Sequence, residues 1–272
     1  KIEKRLQFLR CAMRNLQVHM APWTPLDIFV WLNESTMEHA PAWLEEDFSN
    51  VIAVPTPQST WVASAGLLDD SQWVFRDMHT LGYYLMGRWR LSHAFDFVRS
   101  LGYKYMLQVD DDAFVVDDVT FNIVEHFRAT NVHLGVRTNV HYDDIRVLSH
   151  LPEATKHWAT SEQIRSVLPA PRGPLFQQFV PAATSFENIS TMTWIKRRHY
   201  LAAFMVFDID FWFQPLVQHY VKWIMSTGLD MQQRWLEQGT TNMVRLLFIP
   251  NKNLFAFNAN IIHSYFVYHV NT

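Results

Sequence analysis

One stretch, residues 103–118 with the sequence YKYMLQVDDDAFVVDD, restricts the fold more than any other part of the chain. It begins as an apolar run typical of a buried β-strand, yet this run leads directly into Asp110, Asp111 and Asp112. Burying an unpaired carboxylate is costly, and neighbouring carboxylates repel one another. The strand must therefore end at a place where water solvates this acidic triplet or a cation neutralises it.

The first half of the chain alternates between helical and strand-like patterns. It opens with apolar residues at helical spacing, which predict an amphipathic helix. Predicted strands are residues 27–32, 51–54, 105–109 and 133–137, and further predicted helices are residues 82–101 and 117–128. Helices of this length between strands indicate an α/β fold with a mostly parallel central sheet flanked by helices. Ligands bind such sheets at the carboxyl ends of the strands, and the acidic triplet follows one of them.

The second half is less regular. The irregular, proline-containing pattern of residues 138–195 predicts long loops with one helix near 160–168. An apolar strand within residues 200–212 then leads into carboxylates again, beginning at Asp208. Helical patterns follow, the last of them within residues 231–249.

Composition and charge narrow the class of protein. The chain has 272 residues, 49% of them hydrophobic, which is enough to bury a sizeable core. Its formal net charge of −3 does not supply the positive face that nucleic acid requires, so no nucleic-acid partner is expected. No apolar run reaches the roughly 18 residues of a membrane-spanning helix, so no membrane segment is expected. The single cysteine favours a soluble cytoplasmic protein, and a Golgi lumen stays open if an N-terminal anchor was removed.

The acidic triplet is predicted to hold a divalent metal ion. Mg²⁺ and Mn²⁺ bind one or two carboxylates and complete their shell with water and phosphate oxygens. Successive side chains of a strand point to opposite sides, so Asp110 and Asp112 face one way and Asp111 the other. The alternative is a solvated acidic turn before the next helix, but the apolar residues on both sides favour the metal site.

The residues around the triplet resemble a known family. YKYMLQVDDDAFV is similar to the metal-binding segment of glycosyltransferase family 15, the fungal α-1,2-mannosyltransferases, with Asp110 and Asp112 at the metal-binding positions. Other segments resemble the family in the same order along nearly the whole chain. These are DIFVWLNE at 27–34, YLMGR at 84–88, HYLAAFMVFDIDFW at 199–212, QRWLE at 233–237 and FNANIIH at 257–263.

The resemblance implies a GT-A fold as a single catalytic domain over residues 1–272. It implies a nucleotide-sugar-binding half at 1–137 and an acceptor-binding half at 138–272. It also implies that His263 completes the metal site of the acidic triplet. Neutral imidazole is an acceptable ligand for Mn²⁺, so Mn²⁺ is the expected cofactor, with Mg²⁺ as the alternative.

Asn33, Arg88, Asp110 and Asp111 are expected to bind the nucleotide-sugar donor. Asn33 lies in the segment that resembles the family's first nucleotide-side strand, and Arg88 offers a guanidinium to diphosphate oxygens. The basic run at 196–198 is a further candidate for phosphate contact, although a solvated charged face explains it more simply.

The chemistry at the sugar departs from the family. Where the family presents a glutamate to the anomeric carbon, this chain has Met205, which can neither attack nor stabilise a cation by charge. An inverting transfer needs only a carboxylate base and a metal. Glu237 is the expected catalytic base, with Asp208 in reserve and Asp230 as a weaker third candidate. Trp235, beside Glu237, is the expected stacking surface for a sugar ring.

The expected function is a metal-dependent glycosyltransferase that moves a sugar from a UDP-xylose or GDP-mannose type donor to a glycan hydroxyl with inversion. UDP-xylose is included because distant relatives of the family in large algal viruses use it. A retaining α-mannosyltransferase is the alternative. Two other classes are open: a two-metal phosphoryl-transfer enzyme or nuclease, which would need a basic channel, and a catalytically degenerate glycan- or nucleotide-sugar-binding protein.

Overall fold

The computed structural model describes most of the chain. It covers residues 2–33, 43–61, 63, 71, 73–74, 79–137, 140–141, 147, 150–161, 164, 199–258 and 261–263. The helix expected near 160–168 lies mostly outside the described residues, and the basic run at 196–198 lies wholly outside them.

Helices and strands alternate along these ranges, which confirms the predicted α/β class. The helices are α1 (Ile2–His19), α2 (Trp43–Glu46), α3 (Leu81–Leu91), α4 (His93–Ser100), α5 (Ile123–Thr130), α6 (Leu151–Thr160), α7 (Ile209–Trp212), α8 (Pro215–Thr227), α9 (Leu229–Gln232) and α10 (Leu236–Phe248). The strands are β1 (Ile28–Asn33), β2 (Val51–Thr56), β3 (Tyr105–Val109), β4 (Ala113–Val115), β5 (Leu134–Arg137), β6 (Val140–His141), β7 (His199–Tyr200), β8 (Phe204–Asp208), β9 (Leu254–Phe257) and β10 (Ile261–His263).

The central sheet has the strand order β3-β8-β5-β9. Strand β8 runs antiparallel to both β3 and β5, whereas β5 and β9 are parallel. Three of these four strands therefore point the same way, as expected of a mostly parallel sheet, and β8 is reversed between two of them. Strands β3 and β5 come from the predicted half 1–137, and β8 and β9 from the half 138–272. The two halves thus share one sheet.

Smaller strand pairs accompany the central sheet. Strands β1 and β2 are parallel, with a register that runs from Ile28 opposite Val51 to Asn33 opposite Thr56. The short strand β4 pairs antiparallel with β10, and β6 pairs antiparallel with β7. The pairing of β4 with β10 matters most for the site, because β4 directly follows the acidic triplet.

Both faces of the central sheet are covered, which explains why β8 has a continuous apolar sequence. Met205 and Phe207 pack into one hydrophobic cluster with residues of α3, α4, α8 and α10. Phe204 and Val206, which alternate with them, belong to a second cluster with residues of α1 and α5. Each face of β8 is thus buried under a different set of helices.

Some element bounds differ from the prediction. The helix expected over 82–101 is divided into α3 and α4 at Ser92, whose backbone is not helical. The helix expected over 117–128 begins only at Ile123, because the Asn122 side chain caps it by accepting a hydrogen bond from the Glu125 N–H at 3.1 Å. None of the helices in the described part of the chain combines the length and the apolar character needed to cross a bilayer.

Candidate active site

The acidic triplet forms the turn between β3 and β4. The Asp110 N–H donates to the carbonyl oxygen of Ala203 at 3.1 Å, and the Ala113 N–H donates to the carbonyl oxygen of Asp110 at 3.0 Å. Asp112 is only 7% exposed, and Asp110 and Asp111 are half-buried. The carboxylates therefore lie at the end of a sheet strand, as the sequence predicts, and their burial requires positive partners.

A distant segment of the chain meets the triplet through backbone pairing. In the antiparallel register of β4 and β10, His263 lies opposite Ala113. The backbone of His263 is therefore next to the triplet, whereas its side chain lies outside the described part of the structure. The role of His263 as a metal ligand stays a prediction.

Arg5 of α1 supplies the first positive charge. Its Nη2 is 2.6 Å from Oδ1 of Asp111, and its Nη1 is 3.4 Å from Oδ2 of Asp112. The Asn15 side chain holds α1 beside β4 through two hydrogen bonds with the backbone of Val115. Burial raises the pKa of Asp111, the Arg5 guanidinium opposes this shift, and the neighbouring Asp112 adds to it. One guanidinium thus contacts Asp111 and Asp112 together, so the predicted alternation, with Asp110 and Asp112 on one side and Asp111 on the other, is wrong because these residues form a turn and not a strand.

Arg90 of α3 supplies the second positive charge and joins the triplet to Glu237. Its Nη2 is 2.7 Å from Oδ1 of Asp110, and its Nη1 is 3.3 Å from Oε1 of Glu237. Burial alone would lower the pKa of Arg90, but the carboxylates of Asp110 and Glu237 outweigh burial and raise it. Arg90 is therefore a permanent cation between two carboxylates that are far apart in the sequence.

Glu237 is held against α3 by close packing. It lies in the first turn of α10, where the helix dipole favours a carboxylate, and it is 8% exposed. A Cβ built on Gly87 of α3 would be 2.6 Å from Oε2 of Glu237, so this approach requires glycine. Just before Glu237, Arg234 and Leu236 have φ values of 58° and 36°, which non-glycine residues rarely adopt. Tertiary packing thus places Glu237 despite local backbone strain.

Arg88 is not among the residues that contact the triplet, and its role as a donor-binding residue stays a prediction. Its Nε is 2.7 Å from Oδ2 of Asp230, and its guanidinium also donates to the carbonyl oxygen of Met225. Two residues of a helix separate their side chains by about 200°, so Arg88 and Arg90 point to opposite sides of α3. Burial raises the pKa of Asp230 to about 6, although Arg88 opposes the shift. Arg88 and Asp230 therefore form a buried ion pair away from the triplet.

Asp208, the reserve candidate for the catalytic base, lies at the opposite end of the central sheet. In the antiparallel pairing of β3 with β8, Asp208 is opposite Tyr105, whereas the triplet follows Val109. Its Oδ1 accepts a hydrogen bond from the Phe211 N–H at 3.2 Å, and its Oδ2 is 2.8 Å from Nδ1 of His133. Asp208 is the N-cap of α7, and the structure does not bring it to the triplet.

Two other predicted residues are part of the core. Met205 is 1% exposed and Trp235 is 0% exposed, and both lie in the same hydrophobic cluster. Trp235 has no surface on which a sugar ring can stack, so its predicted role is corrected. The half-buried Tyr83 of α3 is no free stacking surface either: its ring stacks on His79 at 4.2 Å, and the Arg234 guanidinium lies 5.8 Å from the ring centroid. Burial, followed by the charge of Glu237, raises the pKa of Tyr83, and the Arg234 guanidinium opposes this shift.

The donor-binding role of Asn33 stays a prediction. Its backbone ends β1 beside Thr56 of β2, but its side chain lies outside the described part of the structure. The basic run at 196–198 also lies outside the described residues, so its phosphate contacts stay a prediction as well.

The triplet fits a hard divalent cation by its chemistry. Mg²⁺ and Mn²⁺ take carboxylate oxygens and need only one or two of them when phosphate and water complete the shell. All three aspartates lie within ion-pair distance of a guanidinium, which shows that the turn attracts positive charge. Within the described residues, which leave out the His263 side chain, no three His, Cys, Asp or Glu side chains form a ready metal cluster.

Solved structures with similar folds agree with this architecture. Core-mannan synthase A from Aspergillus fumigatus, in a form with Mn and GDP, has a TM-score of 0.72 and 16% identity, covering 96% of this chain and 72% of that protein. Mannosyltransferase Ktr4p from S. cerevisiae has a TM-score of 0.73 and 13% identity, covering 96% and 68%, respectively. Its complex with GDP has a TM-score of 0.73 and 12% identity. No protein-family model and no curated protein sequence matches the chain. The protein has the GT-A fold, and its relation to family 15 stays a resemblance.

Sequence reasoning missed Arg5, Tyr83 and Arg90. Tyr83, Gly87 and Arg90 share a helical stripe at i, i+4 and i+7 on α3, but Tyr84 and Arg88 have the same helical spacing, so the stripe alone does not single out Arg90. The sequence offered no comparable signal for Arg5, since its contact depends on how α1 packs beside β4.

Proposed function

We propose that this protein is a metal-dependent glycosyltransferase that moves a sugar from a nucleoside diphosphate sugar to a glycan hydroxyl. The observation that carries the proposal is the Asp110–Arg90–Glu237 contact on a GT-A fold. It joins a strand-end carboxylate turn suited to a metal diphosphate with a second carboxylate suited to proton transfer. A nuclease is disfavoured by the net charge of −3.

GDP-mannose is the favoured donor, and UDP-xylose is the second choice. The support for GDP-mannose is that the two similar proteins are named as a mannan synthase and a mannosyltransferase, with GDP bound in one structure of each. The UDP-xylose alternative rests on the sequence resemblance alone. The acceptor is a glycan hydroxyl in either case.

Glu237 is the proposed base of an inverting transfer. Its carboxylate accepts the proton of the acceptor hydroxyl, and the oxygen bonds to the anomeric carbon of the donor sugar. The bond from that carbon to the diphosphate oxygen breaks, and its electron pair leaves with the nucleoside diphosphate. Because Met205 is an uncharged, buried side chain, it offers no nucleophile for a retaining double displacement.

Asp110 and Asp112, with His263 as the predicted third ligand, would hold Mn²⁺ or Mg²⁺, which supplies positive charge to the departing diphosphate. In this chain, Arg90 fixes one oxygen of Asp110 and Arg5 contacts Asp112. Asp110 and Asp112 would thus hold the metal beside the donor's diphosphate, while Glu237 accepts the proton of the acceptor hydroxyl.

A donor and variant assay tests the proposal. Purified protein with Mn²⁺ should release GDP from GDP-mannose in the presence of a mannoside acceptor. Glu237→Gln should lower kcat by about 10² to 10⁴-fold, the usual contribution of a general base. Lys104→Met, which removes an exposed ion pair with Asp210, is the matched surface control.

Three outcomes would contradict specific parts of the proposal. Release that survives Asp112→Ala would exclude the metal assignment, and an α-linked product from an α-linked donor, seen by NMR, would exclude inversion. Thermal stabilisation by GDP without release from any GDP- or UDP-sugar would instead identify a degenerate nucleotide-sugar-binding protein.

A further inference from the structure

We propose that Arg90 is a positioning residue that holds the metal-binding carboxylate Asp110 and the base Glu237 in a fixed relation. This inference rests on the proposed glycosyltransferase function and assigns a role to a residue that neither the acidic triplet nor the family resemblance includes. Arg90 acts through its two partners and makes no contact with the reacting atoms in this account.

The guanidinium of Arg90 contacts both carboxylates at once. Two different amino groups, Nη2 and Nη1, contact Oδ1 of Asp110 and Oε1 of Glu237 at 2.7 and 3.3 Å. A planar guanidinium can satisfy both carboxylates from one rotamer, whereas a lysine ammonium is a single point charge. Orienting both carboxylates therefore requires arginine at this position.

All three side chains of this contact are largely buried. The Arg90 side chain is 18% exposed, and those of Asp110 and Glu237 are 23% and 10% exposed. Charges so shielded from water interact more strongly than surface pairs. Without the cation between them, Asp110 and Glu237 would be two partly buried anions that repel one another. Arg90 thus makes it possible to hold a metal ligand and a base in the same confined space.

The residues around Arg90 leave room for this contact. Gly87, one turn before Arg90 on the same stripe of α3, provides the space into which Glu237 fits. The strained backbone at Leu236 directly precedes Glu237, which packs against α3 at Gly87. Backbone strain of this kind persists only where the surrounding structure imposes it, and it is concentrated at functional sites.

The test compares two lysine substitutions on α3. Arg90→Lys and Arg88→Lys each keep one positive charge and lose a guanidinium from a largely buried ion pair, so both should lower the melting temperature. Only Arg90→Lys should weaken Mn²⁺ binding. The expected loss of affinity is about tenfold or more, because this is the usual effect of removing a residue that holds a metal ligand in place. Arg90→Lys should also lower kcat by about 10²-fold through misplacement of Glu237, with little change in acceptor KM. Mn²⁺ affinity is measured by electron paramagnetic resonance on the full chain.

A rescue experiment separates positioning from folding. Arg90→Ala should regain part of its Mn²⁺ affinity and kcat when guanidinium chloride is added at millimolar concentration, and Arg88→Ala should not. The inference is overturned if Arg90→Lys binds Mn²⁺ and turns over like the wild type. It is also overturned if both lysine variants lose function in proportion to their loss of stability.

Failure of the proposed glycosyltransferase function can be told apart from failure of the role given to Arg90. If the wild type binds Mn²⁺ but transfers no sugar, the glycosyltransferase proposal fails, and weaker Mn²⁺ binding by Arg90→Lys alone still supports the positioning of Asp110. If the wild type does not bind Mn²⁺, both proposals are overturned.

Discussion

Two arginines of α3 show how one helix can serve stability and a candidate active site at once. Arg88 is paired with Asp230, whose side chain is fully buried, and Arg90 is paired with Asp110 and Glu237 at the acidic triplet. The two residues are separated by a single tryptophan in the sequence. They differ in surroundings because a helix turns about 100° per residue, so each belongs to a different face.

The positive charge that Arg88 and Arg90 share does not by itself identify which of them belongs to the site. Both arginines are largely buried and both are bound to carboxylates. The partners of Arg88 are a carboxylate and a backbone carbonyl inside the protein, whereas the partners of Arg90 come from the strand end and from the start of α10. We therefore expect substitutions of Arg88 to affect folding most, and those of Arg90 to affect function most.

The largest expected effect on stability is that of Arg88→Met. Removing one member of a buried ion pair costs about 3–5 kcal/mol where the other charge remains, and this is expected at pH 9, where protonation of Asp230 offers the least relief from the loss of Arg88. The free energy of unfolding, measured in urea, should fall by this amount. A loss below about 1 kcal/mol would contradict the structural role of the pair with Asp230.

The second prediction concerns the pH dependence of that pair. The pKa of Asp230 is about 6 in the folded chain, against about 3.9 for an unfolded aspartate, so the folded state binds the proton more tightly. The corresponding stabilisation, up to about 3 kcal/mol, is present below pH 4 and is lost as the pH rises through 6.

Urea unfolding of the wild type and of Asp230→Asn between pH 4 and pH 7 isolates this contribution. The difference in the free energy of unfolding, wild type minus variant, should decrease from pH 4 to about pH 6 and then stay level. A difference that stayed constant or increased over this range would show that burial does not raise the pKa of Asp230.

The third prediction concerns Gly87, which lies on the Arg90 face of the helix. In Gly87→Ala the new Cβ would be 2.6 Å from Oε2 of Glu237 and 2.8 Å from Cβ of Leu236. Overpacking of this kind costs about 1–3 kcal/mol, against about 1 kcal/mol gained from helix propensity. Stability should fall modestly, and kcat should fall further because Glu237 is displaced.

Gly82→Ala on the same helix is the matched control for Gly87→Ala. The nearest atom to a Cβ at Gly82 is Oγ1 of Thr80 at 3.8 Å, an ordinary contact. This variant should therefore be neutral or more stable by about 0.4–1 kcal/mol. Equal behaviour of the two alanine variants would show that the approach of Glu237 to α3 is not tight.

The smallest expected effect is that of Arg5→Ala. The Arg5 side chain is 63% exposed, and its ion pairs with Asp111 and Asp112 are therefore screened by water and salt. The free energy of unfolding should change by less than about 1 kcal/mol. A larger loss would mean that α1 depends on the triplet for its position.

Local patterns predicted several parts of the fold and the site. Strand β3 has the predicted bounds, 105–109, because a short apolar run between turn residues is a local signal. The acidic triplet follows it at the strand end, and α10 lies within the predicted helical segment 231–249, with Glu237 in its first turn. These features depend on residues that are neighbours in the chain.

The errors concern contacts between distant residues. Asp208 has the same sequence context as the triplet, an apolar strand that ends in carboxylates, but it lies at the other end of the sheet because β8 is antiparallel to β3. Trp235 adjoins the proposed base but is fully buried. Strand direction and burial depend on the packing of the whole sheet, which a local pattern does not contain.

The sequence by itself determined that this chain has an α/β core with a strand that ends in three carboxylates, because strand and helix periodicity and charge repulsion are local properties. Only the tertiary structure decided which cations meet those carboxylates. Arg88 and Arg90 are the same residue type in neighbouring positions, and only the packing of α3 beside both the start of α10 and the turn after β3 places Arg90 between Asp110 and Glu237. The physical reason is that an ion pair depends on distance in space, whereas the sequence specifies only distance along the chain.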